Sequence, residues 1–234
     1  MRLGSSQTRP QWVLVGIGLA VIVATYLFLV LTRPAGLDQA VTSNTTAVIA
    51  LAGYMVGAGL IIWGVARQFT TSTYALIPIA IALNIVIGQI VATVGAPFGL
   101  AFYLDSIGTV LVGVLVGPLA GAATGGLANI IWGLTLSPVS MPLAVVAIVI
   151  GLMAGLFTRL GWFRRLYLVP IAGLITGFIG AILSAPLSAF IFGGVTGAGT
   201  DALVAAFRAA GNSVLTSTTL QGLISDPLDK VLTF

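Results

Sequence analysis

Six side chains of this 234-residue sequence stand out for the chemistry they could do: Gln89, Tyr103, Asp105, Asn129, Trp132 and Asn212. The first five sit in otherwise apolar, glycine-rich stretches, and Asn212 in an unusually polar last segment. The acid and the amides can hydrogen-bond the heteroatoms of a small molecule. The aromatics, with Phe102, offer flat apolar walls to a ring. Polar groups in an apolar segment point to function where they converge on a cavity. The alternatives stay open at this level. Asp105 either caps its helix, accepting backbone N–H bonds, or faces a ligand, with Arg208 as a candidate partner. Asn84, Gln89 and Asn129 either bond between helices or reach a ligand. Trp12 and Trp162 read as interfacial aromatics.

Catalysis is a poor fit. There is no histidine, cysteine or glutamate, so neither a Ser-His-Asp set nor a thiol nucleophile can form. The usual His/Cys zinc sites are excluded as well. The single lysine, Lys230, lies in no phosphate-cradling Gly-rich loop, so nucleotide hydrolysis by that route is excluded. We expect no enzyme activity, no catalytic residue, no metal and no cofactor.

The elements that position these groups follow from composition. Hydrophobic residues make up 59% of the chain and charged residues 6%, against about 25% charged in soluble domains. That balance fits a polytopic membrane protein in the lipid bilayer, and the net charge of +4 reports orientation rather than nucleic-acid binding. A crossing helix needs roughly 20 apolar residues. Spans are expected at 12–32, 46–67, 74–96, 104–116 (short), 119–136, 141–160 and 167–192. A last, more polar helix is expected from Asp201 to about Ile224, spoiled at Gly211-Asn212 and Asp226-Pro227. The first span is too long for the core of a signal peptide and is expected to be retained. The chain ends still apolar at Phe234, which leaves a continuation open.

The fold class is thus all-α, two helices (1–70) followed by a six-helix core (71–234). Placing the N-terminus inside puts Arg2, Arg9, Arg67, Arg159, Arg164, Arg165 and Lys230 on the cytoplasmic side, against Arg33 and Arg208 outside. Both termini are then cytoplasmic. Three faces carry small residues every fourth position: Gly117, Gly121, Gly125, Asn129 and Gly133; Ala80, Asn84, Gly88 and Ala92; Gly173, Gly177, Ala181, Ala185 and Ala189. Such faces allow close helix approach, either within the chain or against a partner.

The stretches "ALNIVIGQIV", "FYLDSIGTVLVGVLVGPLAGAATGGLANIIWG", "AIVIGLMAGLF" and "SDPLDK" make Ala75–Lys230 resemble the substrate-binding S component of an energy-coupling factor (ECF) transporter. The "LDSIGT…GPLAGAATGGLAN" part is the most specific. The resemblance implies a six-helix core in a bacterial or archaeal cytoplasmic membrane, with a vitamin or related micronutrient captured near the outer face. It also implies a transmembrane coupling subunit and two cytoplasmic ATPases as partners. The family docks through an Ala-x-x-x-Ala face of its first core helix, to which Ala80, Asn84 and Gly88 come nearest, Asn84 departing from it. Two other readings remain: a membrane input domain of a signalling protein, and a small ion-coupled carrier.

Overall fold

The structure is a computed structural model that describes residues 9–31, 44–66, 71–99 and 102–234. Arg2, Arg33 and Arg67, and the side chains of Arg9 and Trp12, lie outside the described residues. Within them the chain forms nine α-helices and no strand: α1 (Arg9–Leu31), α2 (Asn44–Ala66), α3 (Thr71–Gly95), α4 (Ile107–Leu115), α5 (Pro118–Thr135), α6 (Ala144–Arg159), α7 (Leu168–Phe190), α8 (Asp201–Ala209) and α9 (Val214–Thr233). The all-α expectation is met. By length and composition α3 and α7 are apolar enough to cross a membrane, while α1, α2 and α6 carry shorter apolar stretches.

Two expected elements differ. The final segment is not one helix from Asp201 to Ile224. It breaks where Gly211 turns with φ +90°, leaving the nine-residue α8 and restarting at α9. Ser213 caps the restart, its hydroxyl accepting from Thr216 N–H at 3.1 Å. Pro227, expected to spoil the helix, lies inside α9. There α9 crosses α7 at Gly177, where a side chain would collide with the Pro227 backbone. The second difference concerns Lys230. It is 5% exposed and paired with acids inside the bundle, so it is not one of the free basic groups of an end surface. Arg159, Arg164 and Arg165 are exposed.

All three small-residue faces are filled by this chain's own helices. Along α5, a methyl group at Gly121, Gly125 or Gly133 would strike α4, α6 or Met141, and Gly155 of α6 lies against Pro118. The turn at Gly117 (φ +129°) hands α4 to α5, with Pro118 opening the new helix. On α3, Ala80 and Asn84 are 2% and 1% exposed, and Gly88 faces Trp132 and Asp105. The proposed docking residues Ala80, Asn84 and Gly88 therefore pack against α4 and α5, and present no free surface for a coupling subunit. On α7, Gly173 and Gly177 take the backbone of α9.

The first two helices join this packing. Val15 and Ile22 of α1 and Tyr54, Ala58 and Ile61 of α2 share one buried cluster with Leu119, Val145, Ile148, Leu187 and Phe190. The outward faces remain apolar: on α3, Ile79, Val86, Ile90 and Val94 are all more than half exposed.

Candidate functional site

The site begins where α4 fails to reach the end of its neighbours. Its nine residues rise about 13 Å, half the roughly 27 Å of the 18-residue α5. Its start meets α3 partway along, with Gly108 against the Ala80 carbonyl. The chain leading into it, from Phe102 to Ser106, is non-helical and only partly exposed or buried. Backbone donors in such a place need partners. Two distant side chains supply them. Asp229 Oδ1 accepts from Tyr103 N–H at 2.9 Å and from Leu104 N–H at 2.8 Å. Asn84 Oδ1 accepts from Gly108 N–H at 2.6 Å, while its amide donates to Thr109 Oγ1 at 2.8 Å. Leu104 sits at φ +49°, among the described residues the one non-glycine in the left-handed region. That conformation costs on the order of 1–3 kcal/mol, and the bond to Asp229 helps to hold it.

Asp229 also bonds Lys230. The Lys230 ammonium donates to Asp229 Oδ2 at 2.5 Å and to Ser106 Oγ at 2.8 Å, and lies 3.6 Å from Asp105 Oδ1. Asp105 thus pairs with Lys230 rather than with Arg208, which lies exposed on α8. Nor does a side chain cap α4 from its N-cap residue Ser106. Charges so deep are stable only when paired and hydrogen-bonded. Here α9 is stitched to the non-helical stretch before α4 by one lysine and one aspartate adjacent in sequence.

Beside this stitch lies a cavity of about 540 Å³, walled by α3, α5, α6, α7 and α9, by the 102–106 stretch and by the loop before α8. Its volume is that of a small-molecule site. Five of the six residues singled out by sequence line it: Gln89, Tyr103, Asp105, Asn129 and Trp132. The hairpin of α4 and α5 brings Asp105 and Asn129 to one cavity, as expected. Trp132 donates its ring N–H to Gln89 Oε1 at 3.0 Å, which fixes the indole. The Tyr103 hydroxyl donates to Thr200 Oγ1 at 3.1 Å and accepts from Gln221 at 3.3 Å. It is committed to the wall. Asn212 lies outside the cavity: in the turn between α8 and α9 it donates to the Phe207 carbonyl at 3.0 Å.

Several lining residues were not singled out from sequence. Asp226 and Lys230 face the cavity from α9, and Ser184 and Ser188 from α7. Asp226 and Lys230 are four apart, hence on one face, a spacing legible in "SDPLDK" once Pro227 is allowed inside a helix. Asp201 also lines the cavity, its carboxylate receiving Thr196 N–H, Gly197 N–H and the Thr196 hydroxyl. Four of the chain's five acidic residues therefore gather here. No group of three potential metal ligands occurs among the described residues. The arrangement can enclose a small molecule and hydrogen-bond it. The chain matches no known protein-family model, no curated protein and no solved structure.

Proposed function

We propose that this chain is the membrane-embedded solute-binding subunit of an ATP-driven importer of the ECF type, taking up a vitamin or related micronutrient. The observation that carries the reading is the cavity of about 540 Å³ inside an apolar helical bundle, its mostly apolar wall carrying a few convergent polar groups. Binding in it uses hydrogen bonds from Gln89 and Asn129 and an apolar wall at Trp132 and Phe102. The exposed aliphatic faces of α3 and α7 support a lipid environment, since water-exposed apolar patches of that extent are rare on soluble monomers. The exposed Arg159, Arg164 and Arg165 favour the cytoplasmic side for their end of the bundle. On this reading the chain, which has no phosphate-binding loop, takes its energy from partners, a coupling subunit and two ATPases. Their docking surface lies outside the filled Ala80, Asn84 and Gly88 face.

The test is reconstitution. The purified full chain should bind its micronutrient in detergent, and a hundredfold excess over Kd should add about 2.7 kcal/mol of apparent stability. In liposomes it should move nothing until coupling and ATPase subunits are added with ATP. Uptake by the chain alone, driven by a sodium or proton gradient, would replace this reading with an ion-coupled carrier.

A further inference from the structure

The charges around the cavity do not balance. Asp226 is 7% exposed and lines the space. Its carboxylate meets only hydroxyls, Ser225 at 3.2 Å and Ser184 at 3.4 Å. Among the described residues no basic group lies within ion-pair distance of it. Lys230 is the one ammonium nearby, and it is already engaged by Asp229, Ser106 and Asp105. Of the four acids here, Asp201 is held by the N–H groups of Thr196 and Gly197; the other three, Asp105, Asp226 and Asp229, stand against one base, a formal excess of two negative charges when all are ionised. A second feature is independent of charge. Asn129 is 6% exposed, lines the same space and has no side-chain hydrogen bond to another described residue. Its amide is left to the cavity rather than sealed in the packing, and it marks the place where a bound molecule would meet polar contact.

We propose that the cavity takes an organic cation, its positive charge lodged beside Asp226 and Asp105, a heteroatom on Asn129, and a flat ring against Trp132. This deepens the solute-binding reading and rests on it. A neutral molecule would leave Asp226 without a counter-charge, and an anion would add repulsion where Lys230 has no donor to spare. A cation supplies the missing charge, and the indole face adds cation–π attraction.

The experiment is a melting-temperature series on the purified full chain in detergent. The probes are two ring-bearing cations, thiamine and 1-methylnicotinamide; two neutral compounds, riboflavin and nicotinamide; and three anions, nicotinate, biotin and folate. A cation should give the largest shift. Its affinity should fall roughly thirtyfold or more in Asp226→Asn and recover in Asp226→Glu. A neutral or anionic probe giving the largest shift would overturn the inference and leave the solute-binding reading standing. So would an Asp226→Asn variant that keeps full affinity for the cation. If no probe shifts the wild-type chain, the solute-binding reading itself fails and takes the inference with it. Should Asp226→Asn not fold, the ranking of probes on the wild-type chain decides alone.

Discussion

Two seams of this molecule are built from the same small residues and end in different roles. Between α5 and α6, Gly121, Gly125, Gly151 and Gly155 bring backbones into contact, with the Arg159 guanidinium only at its end, against Gly117. Between α7 and α9, Gly173, Gly177 and Gly222 do the same, but α9 carries Asp226, Asp229 and Lys230 into the interior. The first seam is packing alone. The second uses close packing to hold charges at fixed positions on a cavity wall, where the partners of each are chosen by geometry. The same spacing in sequence therefore says that helices meet, and the residues beside the glycines say what the meeting is for.

The comparison breaks most sharply at Asp229. Asp229→Ala removes the acceptor of two backbone N–H groups and the main partner of Lys230, and should cost about 3–5 kcal/mol in equilibrium unfolding in detergent. The triple variant Asp229→Asn, Lys230→Met and Asp105→Asn keeps an acceptor for the backbone and removes all three charges of the cluster. It should recover most of that loss. A triple variant no more stable than Asp229→Ala would mean the charges themselves hold α9 in place.

On the uncharged seam, Gly155→Val drives a branched side chain into the Pro118 backbone. We expect a loss of roughly 1–3 kcal/mol, read as a lower melting temperature, with micronutrient affinity unchanged in the fraction that remains folded. Asn84→Ala strands the Gly108 N–H and should cost about 1–3 kcal/mol, with faster hydrogen exchange at the start of α4. The smallest effect belongs to Asn212→Ala. It removes one bond to the Phe207 carbonyl and should cost about 0.5–1.5 kcal/mol without altering affinity, measured by calorimetric titration.

Much of this was legible in the sequence. The turn at Gly117-Pro118 follows from a glycine and a proline in succession, and polar residues isolated in apolar sequence converge: Gln89 and Trp132 bond each other, and Asp105 and Asn129 line the same cavity. What was not legible depended on tertiary contact. Pro227 reads as a helix end until Gly177 on another helix is seen opposite it. Lys230 reads as a surface charge because its partner Asp105 is 125 positions earlier. Asn84 looked like a member of a docking stripe, yet its amide serves the first turn of α4. Asn212 shared the polarity of its neighbours, and the break at Gly211 turned it away from the cavity.

The most direct test of the central claim uses the indole on the cavity wall. The probe compound giving the largest melting-temperature shift is titrated against the tryptophan fluorescence of the full chain, in the wild type and in Trp132→Phe. Binding in this cavity predicts a saturable one-to-one change that disappears in Trp132→Phe, while the calorimetric heat of binding persists. A fluorescence change that survives Trp132→Phe unaltered would place the ligand elsewhere and contradict the account.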